Sequence, residues 1–469
     1  MENRDAAREE KFIRMTTQPV QKLILKLSVP TIASMLVTAL YNLADTYFVS
    51  TIGGSDGTNA IAAVSAALSI MTFLQAFGYF IGQGSANFIS RALGHKNVEK
   101  ASEMAATGFV LIFLVGLVIA AVGLSFTRQI ADLLTNVDSV KPVLAEYLHW
   151  IFMAAPFMCT AFTLNNQLRF QGNAVYAMVG VVSGAVLNVG LDPLFIHVLG
   201  MGAEGAALAT AISQTVAFVV LFSGTFRGDN LRIHPKRARF SAENLGIIVK
   251  GGLPSLMRQG FASLSVLVLN RVAGDLGSRL PEIGGAVLMA AFGLVSKIIL
   301  IANYIIIGLG QGYQPVVGFN YGAGLYSRVR KAFRFLVTVI AGWCILVTLL
   351  GELFAPFVVN LFKDAEPAVR NLAATILRFQ CATFLVNCWV VPSNMMEQTM
   401  GKTVSATLLA MARQGMFLMP LALILPRFFG LVGLELCQPI SDVLTLLLAI
   451  PLQLRILQEL SAPDRVQST

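Results

Sequence analysis

The sequence predicts an all-α polytopic membrane protein, with twelve transmembrane helices in two pseudo-symmetric six-helix lobes. Composition, the recurrence of apolar runs of bilayer length, and an internal repeat all predict it. Of 469 residues, 56% are hydrophobic and 13% are charged, and the mean hydropathy is +0.71. Such usage lies far outside that of soluble domains and excludes a soluble enzyme. At roughly 20 to 25 residues per crossing, about a dozen spans take up more than half of the chain and leave only short loops. The net charge of +9 would point to nucleic acid in a soluble protein. Here the basic residues flank apolar runs, so membrane topology explains them and no nucleic-acid partner is expected.

Apolar runs between polar breaks place the spans of the first half at 27–50, 58–82, 104–126, 143–165, 174–199 and 203–226. Those of the second half fall at 246–271, 284–309, 331–353, 370–396, 403–426 and 430–455. The mixed-charge run before span one is too polar for a signal peptide and is read as a retained tail, 1–26. The lobes are then 27–226 and 246–457, joined by the basic loop 227–245 and followed by a second tail, 458–469. One side of the membrane collects 22 Lys and Arg residues from the two tails, the loop and the even-to-odd connections, Arg91, Arg169 and Arg465 among them. The other side collects 7, including Arg271, Arg279 and Lys363. The excess marks the cytoplasmic side, so both termini are expected there, in a multi-pass protein of the inner (plasma) membrane. Cys159, Cys344, Cys381, Cys388 and Cys437 all fall in apolar runs without ligand spacing and read as small hydrophobes.

The halves repeat each other. Gly82, Gly84 and Gly94 recur as Gly310, Gly312 and Gly322 at an offset of 228, and Gly205 and Ser213 recur as Gly433 and Ser441 at the same offset. Pro30 matches Pro254, and Gly172 matches Gly401, within a few residues of it. Six spans per half give the copies the same membrane orientation, a transporter architecture in which substrate is handled between lobes.

Ionisable groups inside spans are expensive and therefore functional candidates. Asp45 in span one and Asp192 in span five each lie five to seven residues from the outer face, roughly 8 to 10 Å deep at about 1.5 Å per residue. Asn188 shares a helix face with Asp192, and Thr210 in span six reaches the same level. Two carboxylates, an amide and a hydroxyl at one depth suit a proton or a small cation. The alternative is that the aspartates are separate interhelical hydrogen-bonding groups, Asp192 capping the turn at Pro193. The second half is basic instead, with Arg258, Lys297 and Arg413 near mid-membrane, Asp442 at a similar depth, Arg378 nearer the outer face and Glu397 near the inner end of span ten. Either Arg413 and Asp442 form a structural ion pair, or Arg258 or Lys297 lines a cavity and meets substrate.

Gly200 to Gly205 matches a dinucleotide fingerprint in letters only, lying in a short turn with no strand before it. The Gly78–Gly82 and Gly180–Gly184 spacings read as helix packing. With no Walker loop, zinc motif or nucleophile elbow, neither ATP-driven transport nor a hydrolase is supported, and no cofactor or metal is expected. A channel is disfavoured by the lack of a repeated filter or charged ring.

The segment Leu40 to Val49 resembles the signature of the multidrug and toxic compound extrusion (MATE) family, as do Gly310 to Pro315, Gly318 to Ala323 and Gly205 to Thr210. The resemblance covers nearly the whole chain after the tail. It implies two six-helix lobes with alternating access and export of drugs or other organic compounds against an inward proton or sodium gradient. It also implies a cation site at Asp45, Asn188, Asp192 and Thr210 and bending of span one at Pro30. A monomer in the bilayer, with a small organic substrate as partner, is expected. A proton is favoured over sodium because two close buried carboxylates cannot both ionise cheaply. The sequence departs from the branch with an acidic residue in span seven, where it has Arg258 to Ala262. A flippase or exporter of a lipid-linked or anionic metabolite in the same superfamily is the alternative.

Overall fold

The computed structural model describes residues 2–278, 284–360 and 367–464. The loop tip bearing Arg279 and the positions Lys363 and Arg465 lie outside the described residues. Every described regular element is helical, as expected where backbone groups have no water to bond.

The spans are Val20–Ser50, Gly54–Gly94, Val98–Ser125, Lys141–Phe170, Ala174–Pro193 and Gly202–Gly224, then Ala242–Ser278, Gly285–Gly322 and Tyr326–Leu353. Span ten is Pro367–Ala382 continued through the turn Phe384–Val386 into Asn387–Met400. The stretch Thr403–Glu459 holds spans eleven and twelve, which part at Gly430, where φ is 55° and ψ −131°. Twelve spans thus appear among the described residues. Most helices outrun their apolar runs because the ladder continues past the hydrocarbon boundary. Arg169, counted above as a loop cation, is consequently buried in the last turn of span four, and its Nη2 donates to Asn166 Oδ1 at 2.6 Å.

The chain forms two compact units, one of residues 1–18 and 26–252, the other of 19–25 and 253–469. Two of the chain's passages between units fall beside the repeated prolines, Pro30 and Pro254. Each proline removes a backbone donor from a helix interior, yet span one runs unbroken through Pro30.

In the first unit span four is the hub. Leu144, Leu148, Ile151 and Cys159 pack against Leu74 and Ile81 of span two and Met104 and Ile112 of span three. A Cβ added at Gly78 would lie 2.6 Å from Phe162 Cβ, and one at Gly184 would lie 2.9 Å from Ala217 Cβ. Both glycine spacings therefore mark close helix approach. The repeat extends to turn geometry. After span two, Lys96 holds φ 57° with Asn97 N–H donating to Ala92 O at 2.8 Å; after span eight, Gly324 holds φ 74° with Leu325 N–H donating to Asn320 O at 2.8 Å. A left-handed lysine costs about 1 kcal/mol more than glycine. Here the Lys96 Nζ meets Glu9 Oε1 at 2.9 Å and lies over the Phe12 ring, 4.6 Å from its centre.

Glu9 and Phe12 belong to a helix, Glu2–Thr17, formed by the segment read above as a tail. It is anchored on the first unit by Lys11, 5% exposed, whose Nζ lies 2.8 Å from Asp229 Oδ2 in the loop after span six. The same carboxylate accepts from Asn173 Nδ2 at 3.1 Å. Burial draws the Lys11 ammonium down to about 8 despite Asp229. Burial also opposes ionisation of Asp229, yet Lys11 and Asn173 hold it below the ordinary carboxylate value.

Asp229→Asn should loosen this helix by roughly 1–3 kcal/mol, because it strands a buried ammonium, whereas Lys11→Met should cost less. Asp229, with a depressed pKa, contributes docking stability above its ordinary value that is lost as pH falls through the depressed one. Lys11, also depressed, gains stability as pH rises from about 8 toward its ordinary 10.5, where the free chain still holds the proton. Hydrogen exchange of residues 2–17, corrected for intrinsic rate, should therefore show least protection in acid.

Candidate cation site in the first unit

The site is assembled by spans one, four, five and six. Span five brings Asn188 and Asp192 onto one face one turn apart, and Asn188 Nδ2 donates to Asp192 Oδ1 at 3.2 Å. The same amide lies 3.4 Å from Thr210 Oγ1, near the start of span six. All three side chains are buried, Asp192 completely. The helix runs past Pro193 into a π turn, Leu194–Val198, so Asp192 faces Asn188 rather than capping a turn. Such widened turns recur where side chains are positioned for function.

Asp45 on span one is half-buried, and its Oδ1 is shielded from solvent with no hydrogen-bond partner among the described residues. It lies within electrostatic range of Asp192. Asp192 Oδ2, Asn188 Oδ1 and Ser213 Oγ, one turn beyond Thr210, are likewise shielded and unpartnered among the described residues. Spare oxygens of this kind converge where a proton or cation can be received. Tyr147 of span four joins them: fully buried, beside Thr210, and within electrostatic range of Asp45, Asp192 and Tyr41. It stands about six residues inside span four, the same depth as the aspartates, and extending the depth argument from charged groups to phenols would have found it. The nearby end of the unit is tied by Thr51 Oγ1 to His197 Nε2 at 2.9 Å and by Trp150 Nε1 to Glu204 Oε1 at 3.0 Å. Pro30 lies fifteen residues before Asp45 and takes no part in this cluster.

In the second unit Arg413 Nε donates to Asp442 Oδ1 at 2.7 Å. Gln438 Nε2 donates to the same Oδ1 at 2.8 Å, and Thr383 Oγ1 to Oδ2 at 3.2 Å, so a carboxylate only 2% exposed is fully engaged. Arg413 lies in a π segment, Ala412–Leu418, which Pro420 follows closely. Arg258 Nη1 donates to Asn394 Oδ1 at 3.2 Å across spans seven and ten. Lys297 and Arg378 are exposed on the surface of their unit, and Lys297 has no hydrogen bond or ion pair among the described residues.

The architecture is that of a polytopic helical membrane protein built from a duplicated six-span half with buried polar clusters. The MatE family is matched over residues 30–194 and 260–424, one stretch in each half. The chain belongs to the MatE family. It is 28% identical over 448 residues to the multidrug export protein MepA of Staphylococcus haemolyticus (strain JCSC1435), covering 94% of this chain and 95% of that protein, and as similar to MepA of Staphylococcus aureus (strain N315). Among solved structures it is similar to a MOP superfamily transporter from Pyrococcus furiosus, described as having a binding pocket of reverse polarity, with TM-score 0.87, 25% identity and coverage of 96% of this chain and 99% of that one. A MATE protein in complex with MaL6 superposes with TM-score 0.88 at 25% identity and the same coverage.

Arg413→Leu should destabilise the second unit by roughly 3–5 kcal/mol, because Asp442 is left charged and buried, and Arg413→Leu/Asp442→Leu should recover much of it. Thermal unfolding of the purified protein in detergent reads both. A double variant no more stable than the single would show that the two groups serve separate purposes.

Proposed function

We propose that the chain is a secondary active exporter of drugs or other small organic compounds, driven by inward movement of a proton, with sodium as the less favoured ion. The observation that carries the proposal is the hydrogen-bonded group of Asn188, Asp192 and Thr210 with Asp45 in electrostatic range of Asp192, in which each aspartate keeps a buried, unpartnered oxygen. Family membership and the MepA relatives support efflux as the task, and transport rather than catalysis as its class.

On this reading the two aspartates hold one proton between them, because a second negative charge at that separation has nothing to balance it. Asn188 keeps its amide aimed at Asp192 and Thr210, fixing the carboxylate that receives the proton. Tyr147, beside Thr210 and within electrostatic range of both carboxylates, adds a hydroxyl at this level. Pro30 weakens the ladder of span one at the level of Lys26, a place where the helix carrying Asp45 can bend as protonation changes. A proton moving inward gains about 2.3 kcal/mol per 100 mV, enough to drive a neutral compound about fiftyfold uphill at one proton per cycle. Both termini and the loop 227–245 belong on the cytoplasmic side of the plasma membrane in this scheme, and the monomer is the working unit.

The unpartnered Lys297 favours a second reading of the substrate, an anionic or lipid-linked compound. A mid-span lysine does not face lipid without cost and is suited to an acidic group in a watery cavity.

Export from proteoliposomes, assayed with a panel of cationic, neutral and anionic dyes, should follow an imposed pH gradient in sodium-free buffer. Asp45→Asn and Asp192→Asn should each lower the gradient-driven rate at least tenfold at normal insertion, since an amide keeps volume and hydrogen bonding but cannot carry the proton. Export that is lost without sodium and restored by it at constant pH would make the same residues a sodium site. Full export by both variants would remove the coupling role.

A further inference from the structure

We propose that Glu397 is a second proton-binding site of this chain, carrying its proton in the described conformation and pairing with Arg258 of span seven when the proton leaves. The proposal stands apart from the coupling role of the first-unit cluster. Glu397 lies near the end of span ten, fully buried, and neither Oε1 nor Oε2 has a hydrogen-bond partner among the described residues. Residues 392–400 are buried without exception, and Met395, Met396 and Met400 flank the carboxyl in sequence. An anion there would be a whole charge without a counter-ion, with the Ser405 hydroxyl as the donor nearby, a state that a proton relieves.

The charged and titratable groups on the elements packed against this end of span ten are engaged elsewhere. Lys402 is bound to Glu459, Arg328 Nε donates to Asn320 Oδ1 at 2.7 Å, and Arg330 Nη1 donates to Ser461 Oγ at 3.4 Å. Arg413 is paired with Asp442, while Lys331, Arg334 and Arg455 are exposed and Tyr313 of span eight is an uncharged buried phenol.

Arg258 alone stands in register. Two antiparallel rungs join spans seven and ten: Ser255 to Gln398 at 2.7 Å and Arg258 to Asn394 at 3.2 Å. Glu397 falls between these rungs, three residues after Asn394 and so on a neighbouring part of the same helix face. A guanidinium displaced by the rise of three residues, about 4.5 Å, passes from the level of Asn394 to that of Glu397. A route for the proton lies at the adjoining turn. The Glu397 carbonyl accepts from Lys402 N–H at 2.9 Å across Gly401, at φ 83°, so opening of that turn admits water to the carboxyl. When the proton passes to that water, the carboxylate left behind is balanced by the guanidinium, with no other charge moved.

Infrared spectroscopy of the full chain in lipid nanodiscs at neutral pH tests this, because a protonated carboxyl has its own carbonyl band. A band should persist in Asp45→Asn/Asp192→Asn, lose its Glu397 component when Glu397→Gln is added, whatever buried Glu435 contributes, and regain it, shifted, with Glu397→Asp. Glu397→Gln alone should give the same difference spectrum, so the test survives poor folding of the combined variants, and monodisperse elution separates loss of the band from loss of fold. Arg258→Gln should require a roughly tenfold lower proton concentration to bleach the Glu397 band, since the anion then lacks its partner. A spectrum unchanged by Glu397→Gln, or no carboxyl band in Asp45→Asn/Asp192→Asn, would overturn the proposal. Bleaching at the same pH in Arg258→Gln would overturn the part assigned to Arg258.

Discussion

The bilayer offers no water, and this one constraint governs both the scaffold and the site. Backbone groups must be paired within each span, which leaves helices as the building material. Side-chain charges must be paired, hydrated or neutralised. The second unit pairs Arg413 with Asp442 and completes the pair with Gln438 and Thr383. The first unit leaves Asp45 and Asp192 within electrostatic range of each other, each with an oxygen to spare. The same rule thus yields a closed structural pair in one half and an open acidic cluster in the other.

Duplication explains how one chain holds both. Glycines that recur at an offset of 228 preserve close approach: a Cβ at Gly205 would lie 2.9 Å from the Phe195 backbone, and one at Gly433 would lie 2.4 Å from Leu425 O. The left-handed turns at Gly172 and Gly401, with φ 84° and 83°, end equivalent spans. Packing and turn chemistry have been kept while polar residues diverged. Leu168 and Glu397 make the divergence concrete, since each lies four residues before the glycine that ends its span, buried in both halves but apolar in one and acidic in the other.

Span number and the repeat were legible in the sequence because apolar length and glycine spacing are strong local signals. Asp45, Asn188, Asp192 and Thr210 were legible as a group because counting residues from a span end gives depth. Tyr147 was missed because only ionic groups and their immediate neighbours were counted. The helix Glu2–Thr17 was read as a tail because it is too polar for a span, and its docking depends on Asp229, more than two hundred residues away. The π segments after Asp192 and around Arg413 have no length or hydropathy signature, and the prolines near them show only afterwards why the ladder widens.

The central claim is that the carboxylates of the first unit exchange a proton for substrate. Proton release on adding a transported compound to the purified protein, in weak buffer with an optical pH indicator, tests it without any gradient. The account predicts about one proton released per compound bound by the native chain, and none by Asp45→Asn/Asp192→Asn with its fold intact. Equal release by both proteins, or binding by the native chain with no release, would contradict it.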